Sequence, residues 1–249
     1  MLLGVRRVAY SVHMDVLIMA AGQSLRLKNY IGGLPKCLFE SNGKTLLLRT
    51  YENLIQFNSN IHIVTGHKDS LILDYIKEQK LNINVIFNKH YKSNGSMHSI
   101  TTAFDEISPK ESLMVIDGDL IFEKFALDLI ANQKISSIIV TNHSNSNDES
   151  TPKFNKGLLE NFTKERNELG DFPEYIGISN FKTELIEEMK IIDKEANFNL
   201  PYEIALAQAL KNKQFCLNFI YRPYLLWSDL DIRSDLTRMN RITMKIDNQ

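Results

Sequence analysis

Short apolar runs alternate with longer amphipathic segments along the first half of the chain. The apolar runs predict buried strands at residues 15–21, 61–66, 84–88, 112–116 and 135–140. Apolar positions at helical spacing predict helices over residues 45–58, 69–79, 97–106 and 122–133. Strands that alternate with helices in this way indicate an α/β protein with a mostly parallel sheet.

The second half of the chain is less regular. Residues 142–157 are rich in Asn, Ser, Asp and Lys, which predicts an exposed loop or the tip of a hairpin. A strand is predicted at residues 174–181 and a charged amphipathic helix at residues 183–193. Pro201, with Glu203 close behind it, favours the start of a further helix.

Residues 1–13 are expected to lie outside the fold. Arg6 and Arg7 are similar to the basic start of a signal peptide, but no sustained apolar region follows them. The strand pattern begins at Asp15, directly after Met14. We therefore expect residues 1–13 to be a disordered extension, or translation to begin at Met14, and residues 14–249 to form a single domain.

Composition excludes several classes of protein. The 249 residues carry a formal net charge of -1, which argues against a protein that binds nucleic acid through bulk positive charge. No apolar run approaches the length of a membrane span. Cys37 and Cys216 lie far apart in sequence and lack metal-ligand spacing, which argues against a disulfide framework or a zinc site. We expect a cytoplasmic protein without nucleic-acid or membrane partners.

A polar turn follows the first predicted strand and starts at Gly22. A glycine lets a ligand approach the main chain closely, and exposed N–H groups in such a turn form an anion site. Arg26 and Lys36 follow on the same loop and supply a planar fork and a mobile charge, which suit a polyphosphate. A strand followed by Gly and a loop is also common for structural reasons alone, and this segment matches neither the P-loop nor the dinucleotide motif.

A pair of carboxylates follows the strand predicted at residues 112–116. Asp117 and Asp119 flank Gly118, and the carboxyl ends of parallel strands share one edge of the sheet with Gly22. Mg²⁺ takes one or two carboxylates together with substrate phosphates, so this pair is a candidate magnesium site. The alternative is an ordinary Asp-Gly turn.

The order of the motifs resembles the nucleotidyltransferase superfamily of the MobA-like and sugar-nucleotidyltransferase type. The resemblance rests on A-A-G-x-S-x-R-L from Ala20, on L-P-K ending at Lys36, on Y-x-G-I from Tyr175 and on W-x-D-L-D ending at Asp231. It is strongest to small-substrate cytidylyltransferases that use CTP, such as phosphocholine cytidylyltransferases. It implies a GT-A-like nucleotidyltransferase fold, a Rossmann-like three-layer sandwich with a mostly parallel mixed sheet.

The resemblance also implies roles for individual residues. Arg26 and Lys36 would be the catalytic cations, and Asp119 and Asp231 would hold Mg²⁺; for Asp231 the alternative is a helix N-cap. The residues expected to bind the nucleotide are Ala20, Ala21, Gly22, Gln23, Asn94, Gly95, Ser96 and Asp117. Ser96 has the alternative role of capping the helix that follows. The residues expected to bind the acceptor are Glu174, Tyr202 and Glu203.

The substrates implied by the resemblance are CTP and a small phosphorylated acceptor such as phosphocholine, 2-aminoethylphosphonate or a phosphorylated amino acid, used to decorate a surface polysaccharide. The alternatives are a sugar 1-phosphate with another nucleoside triphosphate, a GT-A glycosyltransferase, and a silent relative that only binds nucleotide. Because many relatives self-associate, a homodimer is also compatible with the resemblance.

Overall fold

In the computed structural model, the described residues are 14–142, 150–155, 158–163, 173–212 and 214–249. The strands are β1 (Met14–Ala20), β2 (Glu40–Ser41), β3 (Lys44–Thr45), β4 (Ser59–Thr65), β5 (Asn84–Phe87), β6 (Ser112–Asp117), β7 (Ile121–Phe122), β8 (Ser136–Thr141), β9 (Thr151–Asn155), β10 (Leu158–Thr163), β11 (Glu174–Lys182), β12 (Leu217–Tyr221) and β13 (Trp227–Ser228). The helices are α1 (Leu46–Leu54), α2 (Asp69–Glu78), α3 (Ser96–Ile107), α4 (Phe125–Ile130), α5 (Thr183–Glu195), α6 (Tyr202–Ala209) and α7 (Arg233–Asp247). The expectation for residues 1–13 falls outside the described residues.

Seven strands form the central sheet, in the order β12-β8-β11-β6-β1-β4-β5. Strand β1 pairs in parallel with β4 and β6, and β4 pairs in parallel with β5. Strand β11 runs antiparallel to both of its neighbours, β6 and β8, whereas β12 is parallel to β8. The predicted mostly parallel mixed sheet is confirmed.

Helices cover both faces of the sheet. Val16 and Ile18 of β1 belong to one apolar cluster with residues of α1, α2 and α4, whereas Leu17 belongs to a second cluster with residues of α3, α5 and α6. Because each face is buried, β1 is apolar at consecutive positions and does not alternate. The three-layer sandwich is therefore confirmed. No helix within the described ranges combines the length and the apolarity that crossing a membrane requires.

The structure shortens one predicted helix, resolves one open alternative and adds a strand. The helix predicted over residues 122–133 is shorter, because Phe122 belongs to β7 and pairs with Trp227 of β13. The polar segment 142–157 was predicted to be an exposed loop or the tip of a hairpin, and its residues 151–155 form β9, which pairs antiparallel with β10 as a hairpin requires. Phe154 of β9 packs against Phe219 with ring centroids 5.1 Å apart. Residues 143–149 and 156–157 of that segment lie outside the described residues. Strand β12 was not predicted from the sequence.

The last helix, α7, is tied to the first half of the chain at two places. Leu27, Leu46 and Met239 are buried together in a third apolar cluster. Near the end of the helix, Arg49 donates two hydrogen bonds to Asp247, with Nη1 to Oδ1 at 2.7 Å and Nη2 to Oδ2 at 3.0 Å. These contacts fix the position of the chain that precedes α7, which carries Asp231.

Candidate active site

A cleft of about 710 Å³ opens beyond the carboxyl ends of β1 and β6. Every predicted site residue except Glu174 lines it: Ala20, Ala21, Gly22, Gln23, Arg26, Lys36, Asn94, Gly95, Ser96, Asp117, Asp119, Tyr202, Glu203 and Asp231. Residues from distant parts of the chain meet here because the carboxyl ends of parallel strands lie at the same edge of the sheet. The fold thus collects side chains from five separate stretches of sequence.

The loop after β1 carries the two predicted cations. Ser24 has φ 54°, in the left-handed region, and a short 3₁₀ helix follows it over Leu25–Leu27. The side chain of Arg26 on that helix is 54% exposed, so it extends into the cleft mouth. Lys36 begins a second 3₁₀ helix directly after Pro35, and only 20% of its side chain is exposed.

Lys36 bridges the two carboxylates that were predicted to bind the metal ion. Its Nζ donates to Asp119 Oδ2 at 2.7 Å and to Asp231 Oδ1 at 2.6 Å. Arg26 Nη2 donates to the same oxygen of Asp231 at 2.9 Å. Burial disfavours the charge on Lys36, but the two carboxylates outweigh this effect and raise the pKa of Lys36 above its usual range.

Two backbone hydrogen bonds to the Asp235 carboxylate hold the segment at Asp231 in place. Asp235 Oδ2 accepts the N–H groups of Asp231 and Ile232, both at 2.8 Å. The N-cap of α7 is Ile232, so the alternative that Asp231 caps this helix is not what the structure has. The Asp231 side chain points instead to Lys36 and Arg26.

Close backbone packing positions Asp119. The N–H of Gly118 donates to Met19 O at 2.9 Å, and a Cβ at residue 118 would lie only 2.4 Å from that oxygen. The turn after β6 therefore crosses directly against β1, which only a glycine permits here. This crossing brings Asp119 to the side of the cleft where Lys36 lies.

Asp117 is enclosed on the other side of the same turn. Tyr202 Oη donates to Asp117 Oδ2 at 3.0 Å, and Tyr202 and Tyr175 hydroxyls are 3.1 Å apart. Gly177 has φ +78°, and a Cβ there would lie 2.5 Å from Asp117 Oδ2. Burial, reinforced by the charges of Asp119 and Glu203, raises the pKa of Asp117 well above its usual value.

The loop at residues 94–96 also lines the cleft. Gly95 is the N-cap of α3 and packs so tightly that a Cβ would lie 2.2 Å from Leu200 O. Ser96 is the first residue of α3 and does not cap it, so that alternative is wrong. Its Oγ accepts the N–H of Tyr202 at 3.0 Å instead, which joins this loop to helix α6.

Glu174 lines a smaller adjoining cavity of about 120 Å³. This cavity shares its walls with the main cleft at Asp117, Asp119, Glu203 and Asp231, and Trp227, Tyr175 and Asp229 complete it. Only 1% of Glu174 is exposed. Asp229 accepts a hydrogen bond from Arg238, and burial raises the pKa of Asp229 to about 8 against the effect of that arginine. The adjoining cavity is therefore rich in carboxylates and aromatic rings.

The donor set fits a magnesium ion that is completed by its substrate. Asp119 and Asp231 converge on a single cation, Lys36 Nζ, so their carboxylates are close enough to share a positive charge. No group of three or more His, Cys, Asp or Glu side chains within the described ranges is arranged to hold a metal ion. Two carboxylates plus phosphate oxygens is the arrangement that Mg²⁺ accepts.

Three aromatic residues at the site were not predicted: Tyr91, Tyr175 and Trp227, of which Trp227 was noted only as part of a motif. Tyr91 lines the main cleft and packs on Gly66, where a Cβ would lie 2.5 Å from the Tyr91 Cβ. Tyr175 was noted only as part of a motif, yet its hydroxyl meets that of Tyr202. The only sequence signal for Tyr91 is its place three residues after the predicted third strand, at the same edge as Gly22.

A profile of the MobA-like NTP transferase domain matches residues 16–171 of this chain. The chain belongs to this family. The resemblance drawn from the motifs is therefore confirmed, and the chain carries a nucleotidyltransferase domain of the MobA-like type. The profile ends before Tyr202, Glu203 and Asp231, so these cleft residues lie outside the matched region.

Two relatives of this MobA-like chain extend the comparison. It is 24% identical to the CTP:phosphoglutamine cytidylyltransferase of Campylobacter jejuni over 90% of this chain and 98% of the relative. It is 32% identical to the choline-phosphate cytidylyltransferase of Haemophilus influenzae, over 45% of this chain and 46% of the relative. The chain spans half or less of the first curated relatives it matches, 30% of one and 49% of another.

A solved structure supports the fold of this MobA-like domain. The inositol-1-phosphate CTP transferase from T. maritima superposes with a TM-score of 0.75, covering 94% of this chain and 96% of that chain. The two sequences are 17% identical. The superposition confirms the predicted GT-A-like nucleotidyltransferase fold.

Proposed function

We propose that this protein is a Mg²⁺-dependent cytidylyltransferase that transfers CMP from CTP to a small phosphorylated acceptor and releases pyrophosphate. The observation that carries the proposal is the pair of bonds from Lys36 Nζ to Asp119 and Asp231, next to Arg26 and the turn at Gly22. Cations and a glycine turn suit a triphosphate, and paired carboxylates suit its metal ion.

The reaction requires little general-base chemistry, because the attacking phosphate oxygen of the acceptor is already an anion. The difficulty lies in bringing several negative charges together, so positioning and fixed positive charge contribute most. Lys36 would contact the α-phosphate and the incoming acceptor oxygen, where negative charge builds up. Arg26, at the exposed end of the cleft, would hold the β- and γ-phosphates and the departing pyrophosphate.

Asp119 and Asp231 would hold the metal ion. When bound, Mg²⁺ neutralises phosphate charge and orients the phosphate oxygens. The N–H groups and small side chains of Ala20, Ala21, Gly22 and Gln23 would frame the nucleotide on one side. Asn94, Gly95 and Ser96 would do so on the other side.

The carboxyl groups and aromatic rings of the adjoining cavity support an acceptor with a cationic amine. Asp117, Glu174, Glu203 and Asp229 line it together with the rings of Tyr175 and Trp227. An ammonium group is attracted both to carboxylates and to aromatic faces. A phosphorylated amine or amino acid would place its phosphate near Lys36 and its amine in this cavity. A phosphorylated sugar without an amino group offers no such positive charge.

The names of two relatives support the nucleotide and the acceptor class. One is a CTP:phosphoglutamine cytidylyltransferase and the other a choline-phosphate cytidylyltransferase, and each name joins a cytidylyl group to a nitrogen-containing phosphate. We extend both features to this chain, together with the cytoplasmic location, a product destined for a surface polysaccharide and the option of a homodimer.

The test is pyrophosphate release with Mg²⁺, crossing four nucleoside triphosphates against phosphocholine, 2-aminoethylphosphonate, phosphorylated amino acids and sugar 1-phosphates. We expect activity with CTP and a nitrogen-containing acceptor. Activity only with a sugar 1-phosphate would overturn the acceptor class and keep the reaction. Release of a nucleoside diphosphate from a nucleotide sugar would favour a glycosyltransferase instead.

A further inference from the structure

The segment between α5 and α6 supports the loop that lines the nucleotide side of the cleft. The N–H of Gly95 donates to Phe198 O at 2.9 Å, and the N–H of Met97 donates to Leu200 O at 3.1 Å. A Cβ at Gly95 would lie 2.2 Å from Leu200 O, so the two backbones are in direct contact. We call residues 197–200 the support segment.

The support segment has a costly backbone conformation. Asn197 and Phe198 have φ values of 55° and 60°, two consecutive residues other than glycine in the left-handed region. Asn tolerates this region, but for a bulky residue such as Phe it is unfavourable and persists only where the surroundings impose it. Something must therefore hold this turn in place.

Asp193 of α5 holds the support segment through both its backbone and its side chain. Its carbonyl oxygen accepts the N–H of Phe198 at 2.7 Å, and its Oδ1 accepts the N–H of Leu200 at 3.1 Å. These two bonds span the turn from end to end. The side chain thus fixes the same residue, Leu200, whose carbonyl supports the nucleotide loop through Met97.

The environment of Asp193 is poor for a carboxylate. The residue is fully buried, and Oδ2 has no hydrogen-bond partner within the described part of the chain. Burial raises the pKa of Asp193, against the opposing effects of the Leu200 N–H and His98. Met189 and Ile186, one and two turns earlier on α5, are buried apolar residues. An apolar residue at position 193 would avoid burying a carboxylate but would leave the Leu200 N–H without this acceptor, so the carboxylate is retained for its bond to the support segment.

We propose that Asp193 is a positioning residue for the nucleotide, acting through the support segment on the loop at Asn94–Ser96 without touching the substrate. This inference rests on the proposed function, because it takes that loop to bind the nucleotide. Its effect also reaches α6, since Ser96 Oγ accepts the N–H of Tyr202. The nucleotide loop and the acceptor helix then share one support.

Steady-state kinetics with CTP and Mg²⁺ test the positioning role. We expect Asp193→Ala to raise the KM for CTP about tenfold, about 1.4 kcal/mol, while kcat changes less than twofold. Asp193→Asn keeps an oxygen that accepts the Leu200 N–H and should restore most of the affinity. Glu195→Ala, an exposed carboxylate two residues away on the same helix, is the matched control and should leave KM unchanged. An unchanged KM in well-folded Asp193→Ala would overturn the proposal.

Two further measurements keep the test decisive. If Asp193→Ala fails to fold, Asp193→Leu, which fills the volume with apolar surface, replaces it in the comparison of KM and kcat with Glu195→Ala. Amide hydrogen exchange without substrate measures directly how well the support segment holds the nucleotide loop. The N–H groups of Gly95 and Met97 should exchange faster in the variant than in Glu195→Ala. Equal exchange would overturn the positioning role even if activity fell. If the exchange is faster in the variant but the wild-type protein binds no nucleotide, the proposed function is overturned, whereas the structural coupling between Asp193 and the loop at Asn94–Ser96 stands.

Discussion

Lys36 Nζ lies 2.6 Å from Asp231 Oδ1, although 195 residues separate the two positions in the chain. The same nitrogen lies 2.7 Å from Asp119 Oδ2. One ammonium group therefore joins a loop near the start of the domain, the turn after β6 and the segment before α7. This junction is both the electrostatic centre of the candidate active site and a contact between distant parts of the fold.

Replacing Lys36 should abolish most of the activity without unfolding the protein. We expect Lys36→Ala to lower kcat by about a hundred- to a thousand-fold, because one preorganised charge contributes roughly 3–4 kcal/mol to the transition state. Lys44→Ala is the control, since Lys44 pairs with Glu52 on the surface. Pyrophosphate release measures the rate and circular dichroism checks the fold. Activity of Lys36→Ala equal to that of the control would refute the assigned role.

The two carboxylates next to Lys36 should determine the response to metal. We expect Asp119→Asn and Asp231→Asn each to weaken the apparent affinity for Mg²⁺ at least about tenfold, since each loses a charged oxygen ligand. The measurement is a Mg²⁺ titration of initial rates at fixed CTP. Asp74→Asn, on the exposed face of α2, serves as the control. If both variants follow the wild-type titration, the ion is held elsewhere.

The hydroxyl of Tyr202 should matter for the acceptor more than for the nucleotide. Tyr202→Phe removes the bonds to Asp117 and Tyr175 and keeps the buried ring. The loss of about 1 kcal/mol should raise the KM for the acceptor about fivefold. Tyr221→Phe removes an exposed hydroxyl that bonds Asn142 and should have no effect. A rise in the KM for CTP alone would contradict this assignment.

The hydrogen bonds from Arg49 lower the pKa of Asp247, so this pair should stabilise the protein in a pH-dependent way. A carboxyl with a lowered folded-state pKa adds stability above its unfolded value of about 3.9, and that stability is lost as the pH falls through the folded value. We expect Asp247→Asn to cost about 1 kcal/mol at pH 7, because the pair is partly exposed.

Urea unfolding of wild type and Asp247→Asn at pH 7 and at lower pH measures this effect. The difference in the free energy of unfolding should begin to shrink below about pH 4, where the carboxyl of the unfolded chain is protonated first, and should be lost once the pH falls below the lower pKa of the folded state. Glu52→Gln, in the more exposed pair with Lys44, is the control and should cost under about 0.5 kcal/mol at any pH. A difference that stays constant with pH would show that charge is not the cause.

Gly177 and Gly43 allow the cost of backbone strain and crowding together to be compared with the cost of strain alone. Both have positive φ, +78° and +75°, but a Cβ meets Asp117 Oδ2 at 2.5 Å in the first case and nothing within 4 Å in the second. Gly43→Ala should therefore lower the free energy of unfolding by only about 1–2 kcal/mol, the cost of placing a residue with a Cβ in the left-handed region. Gly177→Ala also forces its Cβ against Asp117, so it should lower the free energy of unfolding, measured with urea, by roughly 2–5 kcal/mol. Equal losses would mean that Asp117 moves aside freely.

The sequence was most informative where one stretch of chain carries the whole signal. The apolar run of β1 predicted a strand correctly because both of its faces are buried. Gly22, Arg26 and Lys36 follow it within a single loop. The turn at Asp117–Asp119 was recognisable for the same reason: an apolar strand leads directly into it. Family membership and fold followed from the order of such stretches.

Relationships between distant residues were beyond sequence reasoning. Nothing near Asp193 indicates that its carboxylate holds Leu200, and nothing near Tyr175 indicates that its hydroxyl meets Tyr202. The polar residues around β9 allowed both a loop and the tip of a hairpin, whereas its partner β10 and Phe219 supply the packing that decides between them. Such features depend on register and tertiary contact, which local propensity does not encode.

The position of Asp231 has a consequence for the newly made protein. Chains emerge from the ribosome from the N-terminus, at about 5–20 residues per second. All seven strands of the central sheet lie before residue 222, so the sheet can assemble while Lys36 still has only Asp119 as a partner. The cleft is complete only once Asp231 has been added and α7 has docked. A nascent chain that still lacks Asp231 would thus contain every strand of the central sheet but only one of the two carboxylates that Lys36 contacts.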